Sequence, residues 1–209
     1  MTDPMDAATG VLLVDLLRLA HLAAIAAGFG CVIATDLTML RWLGLPLGHR
    51  QGTALEAAHD LIGPALVAAW VTGLALVAVR TGLDPAAASP KLLAKLLVVT
   101  VLTLNVVLIL RVVKPTLIEY RGAGLVALPL WRKLMFAVTG AISAAGWTAA
   151  LILGASSVIK TAGWDLLLPL ITGLYASTLM ATVGFALVAH LRWRLHERRH
   201  GPARWAVHA

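Results

Sequence analysis

Five long apolar runs constrain this chain more than any other feature of its sequence. They cover approximately residues 11–40, 54–79, 92–113, 131–155 and 166–191. A helix that crosses the hydrocarbon core of a bilayer needs about 20 mostly apolar residues, and each run is long enough. The two-residue alternation of a membrane β-barrel is absent. The pattern predicts an all-α integral membrane bundle of five transmembrane helices, formed as a single transmembrane domain over residues 1–209.

The composition agrees with lipid as the main solvent of these runs. Hydrophobic residues make up 60% of the chain and charged residues 13%, whereas soluble domains carry about 25% charged residues. The formal net charge of +7 is concentrated at the ends of the apolar runs, where it is typical of topology signals. A nucleic-acid partner is therefore not expected.

Lysine and arginine are distributed unequally between the two ends of the predicted helices. One end has only Arg18, Arg80, Lys91 and Lys160. The other end has Arg41, Arg50, Arg111, Lys114, Arg121, Arg132, Lys133, Arg192, Arg194, Arg198, Arg199 and Arg204. Because cytoplasmic loops are enriched in these residues, the N-terminus is predicted outside and a basic tail, 192–209, in the cytoplasm. The expected location is the cell (inner) membrane.

A few ionisable residues interrupt the apolar runs, and such residues are functional candidates because they are costly in a bilayer. They are Asp15, Arg18, His21, Asp36, His59, Asp60, Lys95 and His190. The predicted helix directions place His21 and Lys95 in the outer half of the membrane. Asp36, His59, Asp60 and His190 fall near the cytoplasmic face. His21 and Asp36 are separated by roughly 22 Å along one helix, so the sequence predicts two layers of polar groups.

His21 is the most informative of these residues. It shares a helical face with Ala24 and Gly28, and Gly28 and Gly30 weaken the helix because glycine is about 1 kcal/mol worse than alanine. A close neighbouring backbone or a flat ligand against this face would compensate. Neutral imidazole on a helix is a common ligand of haem iron. The alternatives are a packing face whose histidine bonds a neighbouring carbonyl, or a proton-handling group.

The other polar residues have structural explanations of comparable weight. Lys95 lies about one turn inside its helix, from where its ammonium can reach the interface. His59 and Asp60 form either an interfacial pair or a ligand with an adjacent carboxylate, and His190 borders the basic tail. No zinc, P-loop, dinucleotide or nucleophile motif is present. Cys31 is the only cysteine, so no intramolecular disulfide can form.

Short motifs in the first three predicted helices resemble a known family. They are Arg18-Leu19-Ala20-His21, Gly28-Phe29-Gly30, Leu61-Ile62-Gly63-Pro64 and Leu92-Leu93-Ala94-Lys95-Leu96-Leu97. This set resembles HemJ-type protoporphyrinogen IX oxidases and the related copper-resistance D-like small membrane proteins. The resemblance implies that the family's functional histidine and lysine correspond to His21 and Lys95. It also implies b-type haem and oxidation of a porphyrinogen at the membrane.

The sequence thus favours a haem-b-binding membrane protein that acts in porphyrinogen oxidation or electron transfer. His21 is the expected metal ligand, Gly28 the surface against which the ring lies, and Lys95 the partner of a propionate or substrate carboxylate. His59 is a further candidate for cofactor binding. The expected partners are the lipid bilayer and either a membrane redox protein or a second copy of the chain. The alternative is a non-enzymatic small transporter or an accessory subunit of a membrane complex.

Overall fold

The computed structural model describes residues 4–41, 49–120, 125, 128–156 and 158–200. The side chain of His59 lies outside this description, although its backbone belongs to a helix. The described chain is helical and contains no strand. Its α-helices are α1 Pro4–Arg41, α2 His49–Thr81, α3 Pro90–Leu108, α4 Lys114–Glu119, α5 Leu130–Ala155 and α6 Trp164–His200.

Five segments of the described chain are long and apolar enough to cross a membrane. They are Thr9–Arg41, Asp60–Thr81, Pro90–Glu119, Leu130–Ala155 and Trp164–Arg199. Four of them contain a predicted apolar run in full, and Asp60–Thr81 covers most of the run 54–79. The prediction of a five-span helical membrane protein is therefore confirmed. The assignment of the N-terminus to the outside is a prediction from Lys and Arg alone.

The third span is longer than the sequence suggests because a proline does not end it. A π-helical turn, Ile109–Val113, joins α3 to α4, and the Lys114 N–H donates to the Ile109 carbonyl five residues earlier. Pro115 follows as an early residue of α4. A proline inside a helix lacks an N–H and clashes with the carbonyl four residues before it. The wider turn accommodates this proline, so the span continues to Glu119.

The span boundaries follow from local chemistry where the connections are short. Gly82 has a positive φ of 59° and follows the last residue of α2, as glycine commonly does at helix ends. Ser89 caps α3 by accepting a hydrogen bond from the Leu92 N–H, and Pro90 opens the helix. At the other end of the chain α6 continues to His200. The part of the predicted basic tail that the structure describes, 192–200, is therefore helical.

Small side chains allow the helices to approach closely around a few large ones. Trp147, Leu102, Leu153, Leu167 and Val98 are the largest apolar side chains that are almost fully buried. They pack with the buried face of α1, which comprises Ala24, Ile25 and Val32. Without a hydrophobic force between helices in lipid, this association depends on van der Waals packing and interhelical hydrogen bonds.

Candidate functional site

His21 is held in a defined orientation by a threonine of α2. Its Nδ1 lies 2.9 Å from Thr72 Oγ1. The Thr72 hydroxyl has one hydrogen, which it donates to the Ala68 carbonyl at 2.6 Å. The Thr72 oxygen must therefore accept from His21, and Nδ1 carries the proton. In the neutral ring this leaves the lone pair on Nε2, the arrangement in which histidines commonly bind metals.

The imidazole of His21 lies against a glycine of α2 and near a lysine of α3. A Cβ added to Gly73 would lie 3.2 Å from His21 Cε1. The absence of a side chain at Gly73 therefore leaves the space that the imidazole occupies. Lys95 is close enough for its charge to act on His21. Lys91 and Arg80 in turn act on Lys95. The structure thus brings the two predicted residues together in one layer, with two further cations close by.

The Gly28 surface is covered by a side chain of the protein. A Cβ at Gly28 would lie 2.2 Å from Cη2 of Trp147, and the nearest three atoms all belong to that indole. Trp147, on α5, is only 2% exposed. The flat group expected against this glycine is therefore present as an aromatic side chain. Contact of a cofactor with Gly28 remains a prediction. The glycine is already explained by its packing against Trp147.

The second layer contains Asp36 together with a Lys–His pair. Lys133 of α5 is 8% exposed, and its Nζ lies 3.0 Å from His190 Nδ1 on α6. An ammonium has no lone pair, so Lys133 donates to His190. Asp36 of α1 is half-buried. The sequence placed Asp36 and His190 in this layer but treated Lys133 only as a topology signal.

A largely apolar cavity of about 340 Å³ lies between α1, α5 and α6 at this layer. Asp36 and Lys133 are the charged residues of its wall. The apolar wall is formed by Met39, Leu40, Leu125, Leu128, Phe136, Ala137, Gly140, Ala144, Ala181, Phe185, Ala186 and Ala189. The volume is within the range of small-molecule sites, about 300–1,000 Å³. Sequence periodicity could not reveal this cavity because the contributing helices are distant along the chain.

Other polar residues of the spans tie helices together. Asp60 accepts from Lys114 Nζ at 3.1 Å, which joins α2 to the end of the third span. Asn105, 4% exposed, donates to the Thr139 carbonyl at 2.9 Å and joins α3 to α5. Lys91 donates to the Ser156 carbonyl at 2.9 Å. The pair with Lys114 gives Asp60 a structural role, where the sequence left it open between an interfacial pair and a ligand site.

Within the described part of the chain no group of three or more His, Cys, Asp or Glu side chains could hold a metal ion. A haem iron needs only one or two protein ligands, so His21 is judged on its own geometry. Comparisons of the chain with protein-family models, with curated proteins and with solved structures find no match. The evidence for function therefore lies in the two layers of polar side chains, one around His21 and one around Asp36.

Proposed function

We propose that this membrane protein binds b-type haem through His21 and acts in membrane redox chemistry, either porphyrinogen oxidation or electron transfer. The geometry of His21 is the observation that carries the proposal. Thr72 Oγ1 accepts from Nδ1–H at 2.9 Å, so Nε2 is the ring nitrogen that would bind the iron. A hydrogen-bond acceptor on the nitrogen away from the metal both orients an imidazole and raises its basicity as a ligand.

The charges around His21 suit a cofactor that carries carboxylates. Lys95 acts on His21, and Lys91 and Arg80 act on Lys95. An ammonium in a membrane span is stabilised by an anionic partner, and charge-assisted hydrogen bonds to carboxylates are among the strong ones. In this proposal Lys95 binds a propionate or a substrate carboxylate. The Lys and Arg distribution favours a position of the site in the outer half of the membrane.

The residues of this layer fit haem in donor chemistry, although the Gly28 surface would not be open to its ring. Trp147 already covers Gly28. When bound, haem supplies the electron-transfer chemistry. The protein provides the His21 ligand, the Thr72 acceptor that fixes its tautomer, the Lys95 charge and a lipid-shielded setting. The side chain of His59, the further candidate for cofactor binding, lies outside the described residues.

The test is the absorption spectrum of full-length protein purified from haem-replete cells. We expect a b-type spectrum whose bands shift on reduction, and His21→Ala should remove most of it. Thr72→Val removes the acceptor and should weaken or alter the spectrum without abolishing it. His190→Ala, in the other layer, is the matched control and should leave it unchanged. A colourless wild-type protein, or an unchanged spectrum in folded His21→Ala protein, would contradict the proposal.

The role of Lys95 has a separate test, because its proposed effect is electrostatic. Lys95→Met should speed the loss of haem during dilution while leaving the wavelength of the bands unchanged. Lys114→Met, which removes a lysine from the opposite end of the same span, is the control. A changed spectrum with normal retention in Lys95→Met would assign this residue a different role.

The second candidate is a non-enzymatic membrane module, a small transporter or an accessory subunit. It is favoured by the packing of both glycine faces, since Trp147 covers Gly28 and His21 covers Gly73. In this alternative the imidazole serves mainly as a helix–helix contact. If the protein is such a module, wild-type protein should be colourless. The melting temperatures of His21→Ala and Thr72→Val should both be lower than that of wild type.

A further inference from the structure

Asp36 is an acid inside a membrane span that has no partner among the described residues. It lies on α1 within the span Thr9–Arg41 and is half-buried. No described residue donates to its carboxylate or forms an ion pair with it, in contrast to Asp15, which pairs with Arg18, and Asp60, which pairs with Lys114. Acidic side chains in spans are rare and mark binding or conduction sites.

The cavity beside Asp36 offers aromatic and aliphatic surface. Phe136 of α5 and Phe185 of α6 are part of its wall, and small residues such as Gly140 and Ala186 provide the space. Phe185 is 49% exposed and Leu40 is 54% exposed. The wall therefore includes surface residues, and a ligand can enter from the lipid side between α1 and α6.

The lysine of this cavity lies at a different depth from the acid. Met39 and Phe136 both pack against the Leu125 and Leu128 pair. Asp36 lies about one turn from Met39 toward the middle of the membrane, whereas Lys133 lies about one turn from Phe136 toward the start of α5. At 1.5 Å per residue these offsets separate the backbone positions of Asp36 and Lys133 by roughly 9 Å along the bundle.

Lys133 also interacts with residues other than Asp36. It donates to His190 at 3.0 Å, and Glu197 lies near enough to act on it. Among the described residues Asp36 is consequently left without a counter-ion. An anionic ligand would be repelled by Asp36, and a neutral one would leave it unpaired at a cost of several kcal/mol if it were charged.

We propose that this cavity binds an amphipathic organic cation, with Asp36 as the counter-ion and Phe136 and Phe185 against its apolar body. Carboxylate charge, aromatic faces and apolar walls together are the features that recognise such ions, since a cation is attracted to aromatic rings within about 6 Å. The proposal does not depend on haem binding, because the site is formed by other side chains in the other layer.

The experiment measures binding of tetraphenylphosphonium to full-length protein in detergent by equilibrium dialysis. Tetraphenylborate has nearly the same shape and the opposite charge, and it controls for partition into apolar surface. We expect saturable binding of the cation and at least tenfold weaker binding of the anion. Asp36→Asn should weaken cation binding at least tenfold, and Asp36→Glu should retain it. Asp60→Asn, at the Lys114 pair, should leave it within twofold of wild type.

A second variant keeps the proposal testable if Asp36→Asn does not fold. Gly140 has no atom within 4 Å of an added Cβ, so Gly140→Leu projects into open space of the cavity. It should reduce cation binding at least tenfold while preserving the melting temperature. Equal binding of the two probe ions, or undiminished cation binding in folded Asp36→Asn or Gly140→Leu protein, would overturn the proposal.

Discussion

Replacing Gly28 by alanine tests the packing at the centre of the bundle most directly. The added methyl would lie 2.2 Å from Trp147 Cη2 and 2.6 Å from two further atoms of the indole. Such a contact must be relieved by movement, and Trp147 is enclosed by its neighbours with 2% exposure. Overpacking of a close-packed core usually costs about 1–3 kcal/mol. We therefore expect Gly28→Ala to lower the free energy of unfolding by about 2 kcal/mol.

Gly30 on the same helix provides the matched control. A Cβ there meets no atom within 4 Å, so Gly30→Ala should gain about 0.5–1 kcal/mol from the better helix propensity of alanine. Unfolding in a series of SDS mixtures, followed by circular dichroism, measures both variants against wild type. Combining Gly28→Ala with Trp147→Leu should cost less than the sum of the two single changes. Equal stability of Gly28→Ala and Gly30→Ala would refute the close contact.

Two further predictions concern topology and a buried amide. Reporter fusions after Tyr120 and Arg199 should report the cytoplasm and a fusion after Pro85 the outside, because Lys and Arg favour cytoplasmic loops; an outside signal at Arg199 would reverse the orientation. Asn105→Leu should raise the free energy of unfolding by about 1 kcal/mol. Its Oδ1 is buried without a partner in the described structure, which costs about 1–3 kcal/mol, whereas its one hydrogen bond contributes only about 0.6. Destabilisation in the SDS assay would instead show that Oδ1 has a partner.

The helical spans were predictable because hydrophobic length is a property of consecutive residues. All five spans appear, although the third continues beyond the predicted end at residue 113 and past Pro115 to Glu119. The sequence could not indicate this continuation, because it depends on the π turn of Ile109–Val113. This turn is a backbone adjustment made within the packed bundle. Prolines are tolerated in membrane helices where such local adjustments re-satisfy the freed backbone groups.

The shared layer of His21 and Lys95 was also predictable, because helix direction and residue count give depth. The occupant of the Gly28 surface was not, since it required knowing which helix lies opposite. Trp147 is separated from Gly28 by three helices of sequence, and its buried ring replaces the ligand that the glycine suggested. Lys133 was missed for a related reason. Four residues into α5 it resembles a boundary charge, and only its contact with His190 distinguishes it from one.

The two layers differ in charge, so they are expected to bind different ligands, and their separation makes the two binding events independent. The strongest charges around His21 and Lys95 are other cations, so that layer suits an anionic group. The Asp36 cavity has a carboxylate without a partner among the described residues, and it suits a cation. Fifteen residues of α1 separate His21 from Asp36, roughly 22 Å, and sites more than about 10 Å apart without shared partners normally behave additively. His21→Ala should therefore leave tetraphenylphosphonium binding within twofold of wild type, and Asp36→Asn should leave the haem spectrum unchanged. If either change affects both ligands in folded protein, the layers are coupled and the assignment of one ligand to each layer fails.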